Sequence, residues 1–123
     1  MKPLHVSGIQ TFLSRFERFS LSEIKSITIN SPSVIEIQFS VQDTGRAYDW
    51  IDVVFELSNV SDAKLIENSK LAFLDMSEGI NIISEENKFA LCHGQYSSLK
   101  TAKDSPLYII CESIKFKELP FSG

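Results

Sequence analysis

Apolar and polar residues alternate along much of the chain, most regularly in the segments Val34–Val41 and Trp50–Leu57. In both segments apolar residues occupy every odd-numbered position, and most of the even-numbered positions across the two are polar. A period of two is typical of a β-strand that packs one face on a core and turns the other to solvent or to a partner. The pattern therefore predicts antiparallel β-structure, and it says more about architecture than about activity.

Shorter apolar runs bounded by turn residues predict the remaining strands. These strands are Ile24–Ile29, Gly79–Ile83, Asn87–Cys92 and Leu107–Phe116, with turns at Asn30–Ser33 and Glu85–Asn87. Between them, Ser61–Asn68 favours a short helix and Lys70–Asp75 favours a strand. The segment His93–Pro106 is a long connection, which we interpret either as a mobile surface loop or as a functional one.

The pairing of the two alternating strands has a predictable parity. Facing residues must have numbers with an even sum, because a slip of one residue would turn Ile side chains to water. An even sum needs a loop with an odd number of residues, and Asp43-Thr44-Gly45 offers one with glycine at a left-handed position. A shift of two residues would pair the apolar side chains better, so the exact register stays open.

One helix is well signalled, near the start of the chain. Its apolar positions follow the spacing of an amphipathic helix: Ile9, Phe12, Leu13 and Phe16. Ser7 followed by Gln10 fits a capping box. The predicted fold class is α+β, mainly β, as one domain of residues 1–123. We expect an antiparallel β-meander that forms a curved sheet, a sandwich or a partly open barrel, with one N-terminal amphipathic helix.

Composition and charge limit the function classes. The 123 residues are 43% hydrophobic and 23% charged, as in a soluble domain with its own core. The net charge of −4 and the lack of a basic segment disfavour nucleic acid as a ligand. No apolar run approaches roughly 20 residues and no secretory signal is present, so we expect a cytoplasmic protein without a membrane partner. Cys92 and Cys111 are expected as buried reduced thiols, or as one disulfide between adjacent strands.

Residues suited to catalysis or metal binding are sparse. His93 adjoins Cys92, but alternation turns the two side chains to opposite faces, which argues against a Cys–His dyad. No glycine-rich phosphate loop and no zinc-type spacing of Cys and His occurs. Asp52 and Glu56 share a strand face with Glu36 beside them, an arrangement that suits glycoside hydrolysis or a plain solvated surface. We expect no catalytic residue, no cofactor and no metal, and predict that the protein is not an enzyme.

Trp50, the only tryptophan, shares its predicted outer face with Asp52 and Glu56. Tryptophan is enriched at binding hot spots, although it also packs beneath helices that cover a sheet. We predict a partner-binding surface made of Asp49, Trp50, Asp52 and Glu56, with the His93–Pro106 segment beside it. The expected partner is another protein, and a basic one would suit the acidic surface.

The segments Ser20–Ile27 and Phe55–Val60 resemble small bacterial immunity-type proteins of polymorphic toxin systems and their uncharacterised relatives. Leu21-Ser22-Glu23-Ile24 stands at the step into the first strand, without the His that the group carries there. The resemblance implies a cytoplasmic protein that binds a partner toxin and blocks it. It implies no catalytic residue, because that group acts by binding.

Two other functions stay open. One is a small-ligand carrier, or an unrecognised enzyme, with a pocket inside the sheet. A cavity lined by His93 or Cys92 would favour it, and an interior filled by Phe would remove the carrier. The other is a structural subunit that forms a homo-oligomer when its strand edges pair with copies of itself.

Overall fold

The two sheets of the protein are both antiparallel, and they account for most of its ordered backbone. The structure is a computed structural model that describes residues 1–123. Its elements are β1 (Lys2–Pro3), α1 (Ile9–Arg15), β2 (Ser22–Ser31), β3 (Val34–Asp43), β4 (Asp49–Ser58), β5 (Asp62–Lys64), β6 (Ile80–Glu85), β7 (Lys88–His93), α2 (Leu99–Ala102), β8 (Tyr108–Cys111) and β9 (Ser113–Pro120). Short 3₁₀ turns occur at Val6–Gly8, Glu17–Phe19, Thr44–Arg46 and Asn68–Phe73.

The larger sheet has the strand order β1-β9-β4-β3-β2, and the smaller has the order β5-β8-β7-β6. Each sheet contains a three-stranded meander, β2–β4 in the larger and β6–β8 in the smaller. The predicted class, α+β and mainly β with one N-terminal helix, is confirmed. Of the three arrangements expected, the two-sheet one is found, and the strands close no barrel.

The predicted strand Leu107–Phe116 is in fact two strands in different sheets. β8 pairs with β5 and β7, whereas β9 pairs with β1 and β4. The chain changes sheet at Glu112, whose N–H donates to the carbonyl oxygen of Ser58 at 3.1 Å. This crossing brings β9 beside β4, a neighbour that the alternation pattern alone does not indicate.

The pairing of β3 with β4 has the predicted parity. Ile35 faces Leu57 and Ile37 faces Phe55, so the numbers of facing residues have an even sum. The five-residue loop is longer than the one expected, and the prediction of a left-handed glycine in it is wrong. Ala47 (φ 54°) and Tyr48 (φ 66°) take the left-handed conformation. Gly45 instead lies in a right-handed turn because its N–H donates to the Asp43 side chain at 2.9 Å.

The core between the sheets contains a group of aromatic rings in mutual contact. The helical segment contributes Phe12 and Phe19, whose rings contact Phe55 of β4 at centroid distances of 5.8 and 5.7 Å. Phe19 also contacts Phe39 of β3 at 4.9 Å. Edge-to-face contacts of this kind add to the free energy gained from burial. The helix is therefore confirmed as a cover on the core side of the larger sheet.

The predicted capping box at the start of the helix is wrong. Gly8 is the N-cap of α1, and no side chain caps the helix. Ser7 lies inside the preceding 3₁₀ turn, Val6–Gly8, so its hydroxyl does not stand at the helix start.

The segment expected as a long loop covers the outer face of the smaller sheet. It contains α2, which begins at a capping box formed by Ser98 and Thr101. Tyr96, Leu99 and Ala102 pack on a second apolar cluster that includes Ile83, Ala90, Cys92, Tyr108 and Ile110. The smaller sheet is consequently buried on both faces.

The segment between residues 61 and 78 differs from both predictions made for it. Asp62–Lys64 forms β5 instead of a helix, because it pairs with β8. Asn68–Phe73 forms a 3₁₀ turn instead of a strand, and the Asn68 side chain accepts a hydrogen bond from the N–H of Ile27 at 2.8 Å. Tertiary contacts have overridden the local preferences here. No helix of the protein has both the length and the apolar character that a membrane crossing requires.

Candidate functional site

Trp50 lies on the outer face of the larger sheet, as alternation predicts. Its neighbours Ile51 and Val53 turn into the core, and Trp50 is 41% exposed. The N-terminal helix packs on the opposite face of this sheet, where Phe12 contacts Phe55. The alternative that Trp50 packs beneath that helix is therefore wrong.

Four of the eight large apolar side chains that are exposed belong to residues at one end of the larger sheet. Gln42 connects them: it faces Trp50, its N–H donates to the carbonyl oxygen of Leu21, and its side chain donates to the carbonyl oxygen of Tyr48. The ring of Phe121 lies 5.7 Å from the ring of Trp50. We call Leu21, Tyr48, Trp50 and Phe121 the aromatic end.

Asp52 shares the outer face with Trp50 but does not present its carboxylate to solvent. The residue is fully buried, and its carboxylate accepts hydrogen bonds from Ser40 (2.6 Å), Gln38 (2.8 Å) and Ser122 (2.6 Å). Burial by itself would raise the pKa of Asp52, but the hydrogen bonds from Ser122, Ser40 and Gln38 bring it below its ordinary value. Asp52 is thus an ionised group with its hydrogen bonds already made inside the protein.

Glu56 is half-buried and lies between two charged neighbours. Glu36 of β3 faces it on one side, as expected, and Lys115 of β9 faces it on the other. Directly opposed carboxylates repel each other, whereas opposite charges on facing positions of two strands attract. Lys117 joins the same face opposite Val54. The face therefore carries both signs of charge, which the sequence did not reveal because it did not indicate that β9 pairs with β4.

Asp49 is exposed at the start of β4, opposite Asp43. Asp43 is fully buried, and its carboxylate accepts two hydrogen bonds from Arg15, at 3.0 and 2.6 Å. Arg15 also donates to Glu118 at 2.9 and 2.7 Å, and Arg46 lies 3.3 Å from Asp43. The Arg15 guanidinium holds the pKa of Asp43 below its usual range. We call Arg15, Asp43, Arg46 and Glu118 the Arg15 cluster. The cluster anchors the β3–β4 loop to the helix and to β9.

Two stretches of left-handed backbone meet beside the aromatic end. The Tyr48 hydroxyl donates to the Glu17 carboxylate at 3.2 Å, and both residues have positive φ. The left-handed stretch continues through Arg18 (φ 54°) and Phe19 (φ 65°). The Arg18 guanidinium holds it in place by donating to three side-chain amide oxygens, those of Gln10, Asn81 and Gln95. Such conformations cost about 1–3 kcal/mol each and persist only where surrounding contacts fix them.

Cys92 and His93 form no catalytic pair. The Cys92 thiol lies 3.8 Å from the carbonyl oxygens of Asn81 and Gly94, and burial raises its pKa. The His93 ring instead contacts the carbonyl oxygen of Asp75 at 2.6 Å. The segment that follows His93 covers the smaller sheet, so it does not lie beside the predicted partner-binding surface.

His93 lines a shallow depression that opens to solvent, together with Gly94, Gln95 and Tyr96. The space between the sheets is occupied by buried side chains, the largest of which are Phe16, Phe19, Phe39 and Phe55. No three His, Cys, Asp or Glu side chains are grouped closely enough to hold a metal ion. The arrangement thus offers a surface for contact and no enclosed reaction site around His93.

Sequence reasoning missed two parts of this site. The contact of Phe121 with Trp50 was not foreseen. The Arg15 cluster was missed altogether, because Arg15 and Glu118 are 103 residues apart and no local pattern connects them. Asp43 was recognised only as a turn residue.

Comparison of the chain with protein-family models, with curated proteins and with solved structures finds no match. The resemblance to immunity-type proteins therefore stays a prediction from the sequence pattern.

Proposed function

We propose that this protein is a non-enzymatic binding domain that contacts another protein through the aromatic end. The observation that supports the proposal is the ring contact between two exposed aromatic side chains, Trp50 and Phe121, at the end of the sheet where Leu21 and Tyr48 are also exposed. Contiguous exposed apolar surface marks interaction sites, whereas single exposed apolar residues are normal. Trp and Tyr are also the residue types that dominate binding energy at protein interfaces.

The charges near the aromatic end favour a basic partner. Glu17 and Asp49 are both exposed beside Tyr48 and Trp50, and the whole chain carries a net charge of −4. Complementary charge accelerates the encounter of two proteins and suppresses wrong partners. The more specific form of the proposal is an immunity-type inhibitor that acts in the cytoplasm and blocks a basic toxin. Its support is the sequence resemblance and this charge balance.

Affinity capture from lysate of the native host tests the proposal. The bait proteins are the wild type, the variant Trp50→Ala/Glu56→Lys, and a matched control, Phe73→Ala/Glu67→Lys. The control removes a ring that is more exposed than Trp50, 86% against 41%, and reverses one exposed carboxylate in a different segment. Circular dichroism verifies that all three are folded.

We expect a stoichiometric partner that the wild type and the control retain and that the Trp50→Ala/Glu56→Lys variant loses. Equal capture by all three proteins would place the interface elsewhere. A second copy of the chain as the only captured protein would favour the self-associating subunit. The absence of any partner would contradict the proposal and favour the small-ligand carrier or unrecognised enzyme.

A further inference from the structure

The chain turns back over the outer face of the larger sheet after β9 ends at Pro120. Phe121 lies against Trp50, with an angle of 35° between the two ring planes. The Ser122 hydroxyl donates to the Asp52 carboxylate at 2.6 Å. Residues 121–123 belong to no strand, so these side-chain contacts hold the segment in place.

This segment adds to the contacts of Asp52, which is buried on the outer face together with Ser40 and Val54. Two of the three hydrogen bonds to its carboxylate come from the neighbouring strand β3, through Gln38 and Ser40. The third comes from Ser122, seventy residues away in sequence. Phe121 in turn covers part of Trp50, which stays 41% exposed. The segment therefore occupies the surface that we propose for partner binding.

The segment is held weakly enough to leave without unfolding the protein. Its contacts are the ring contact of Phe121 with Trp50 and the hydrogen bonding of Ser122 to the Asp52 carboxylate, both near the start of β4. Regions with few buried contacts open locally at a small fraction of the global unfolding free energy. When the segment lifts, water can take the place of Ser122 at the carboxylate, so Asp52 is not left as an unpaired buried charge.

We infer that Phe121 and Ser122 form a reversible strap, an internal ligand of the Trp50–Asp52 surface, which is replaced by a peptide segment carrying an aromatic residue followed by a hydroxyl residue. This inference rests on the proposed function, with Phe121 leaving the aromatic end when the partner binds, and it specifies the chemistry that the partner presents. The strap and the partner compete, so the apparent affinity of the partner is reduced by the fraction of molecules in which the strap is closed.

The spacing of the two contacts defines this chemistry. Trp50 and Asp52 are two residues apart on one strand, so their side chains point to the same face. Phe121 and Ser122 are adjacent in sequence; Phe121 contacts Trp50, and Ser122 donates to Asp52. A replacement segment must supply a ring to stack on Trp50 and a donor for the Asp52 carboxylate. An apolar residue in the second position would leave the carboxylate short of a donor.

The fluorescence of Trp50 tests whether the strap covers it, since Trp50 is the only tryptophan of the chain. In the variant Phe121→Ala/Ser122→Ala we expect emission shifted to longer wavelength and an acrylamide quenching constant raised about two-fold. The matched control, Phe73→Ala/Ser69→Ala, removes the same two side-chain types from another exposed segment and should behave as the wild type. If the strap variant has the emission and quenching of the wild type, the inference is wrong.

A peptide supplied in trans tests reversibility. The probe is a synthetic peptide of residues Lys117–Gly123, titrated onto the Phe121→Ala/Ser122→Ala protein. We expect saturable recovery of the wild-type emission, no recovery with a peptide that has Ala at both positions, and a response at least ten-fold weaker from wild-type protein. Equal responses to the two peptides, or from the two proteins, would overturn the inference.

These measurements use no partner protein, so their results do not depend on whether the proposed function is correct. Loss of a captured partner in the Trp50→Ala/Glu56→Lys variant, together with unmoved fluorescence in the strap variant, would retain the function and reject the strap. Peptide binding to the strap variant without any captured partner would retain the strap and reject the proposed function.

Discussion

The carbonyl oxygen of Arg18 lies directly against Gly79, where a Cβ atom at residue 79 would stand 2.2 Å from it. Both residues have left-handed backbone, with φ values of 54° and 66°. The turn after the helix is thus locked against the turn that leads into β6. Gly79 is also bound to Gly94, whose N–H donates to the carbonyl oxygen of Gly79 at 2.9 Å.

Substitution Gly79→Ala should destabilise the protein by at least about 2 kcal/mol, because alanine is disfavoured at this φ and its Cβ would displace backbone. Urea denaturation measures the change in unfolding free energy. Gly8→Ala is the matched control, since a Cβ there meets no atom within 4 Å, and its effect should stay within about 0.5 kcal/mol. Equal stability of the two variants would show that the two turns are not in contact.

The Arg15 cluster should make a large contribution to stability because Asp43 is fully buried. Asp43→Asn removes the charge that Arg15 and Arg46 face, and we expect a loss of about 2–3 kcal/mol in unfolding free energy. Asp49→Asn, directly opposite in the strand pair but exposed, should cost less than about 0.5 kcal/mol. Similar losses for the two variants would contradict this role of Asp43.

The same cluster predicts how stability depends on pH. Contact with Arg15 lowers the pKa of Asp43 below its ordinary 3.8 and that of Glu118 below its ordinary 4.5. The unfolded chain therefore binds protons more readily than the folded one, so the stabilisation is complete above those ordinary values and is lost as pH falls through the folded ones. Thermal melts below pH 5 should show a shallower decline for Asp43→Asn than for the wild type. A parallel decline would contradict the assignment.

Two phenylalanines in opposite environments separate core packing from surface contact. Phe55 is fully buried, with three ring neighbours at 5.7–5.8 Å, whereas Phe73 is 86% exposed. Phe55→Ala should cost about 3–5 kcal/mol and Phe73→Ala nearly nothing, as judged from urea midpoints. A small cost at Phe55 would mean that the space between the sheets is not closely packed.

The two cysteines should be inert in the folded protein. Both thiols are free and fully buried, Cys111 in the core between the sheets and Cys92 in the cluster on the other face of the smaller sheet. They therefore cannot form the disulfide considered as an alternative. Burial raises the pKa of Cys111 to about 12.

A disulfide-exchange reagent such as Ellman's should accordingly titrate neither thiol at pH 8 and both after denaturation. A Ser77→Cys variant, with its cysteine at an exposed position, should add one rapidly reacting thiol. Fast reaction of the native wild-type protein would contradict the burial of its cysteines.

Alternation allowed much of the fold to be predicted because it is a local property. The positions of β3 and β4, the parity of their pairing and the exposure of Trp50 all follow from which neighbours are apolar. The prediction failed wherever the structure of a segment depends on pairing with a strand that is distant in sequence. Leu107–Phe116 reads as one strand, yet its two halves belong to different sheets. Likewise, Asp62–Lys64 extends only because β8 is available to pair with it.

The candidate site shows the same division. Trp50 and Glu56 lie on the predicted face, but the Asp52 carboxylate accepts one of its hydrogen bonds from Ser122, which is seventy residues further along the chain. Lys115 faces Glu56 through a pairing of β4 with β9 that no single-strand pattern contains. Charge and contact at a sheet surface are set by strand order, and strand order is a property of the whole fold.

The most direct measurement of binding at the aromatic end is a calorimetric titration of the captured partner onto single variants. Trp50→Ala should weaken binding at least ten-fold, the loss expected of a hot-spot residue, while Phe73→Ala should match the wild type. Wild-type affinity in Trp50→Ala would contradict a contact at the aromatic end.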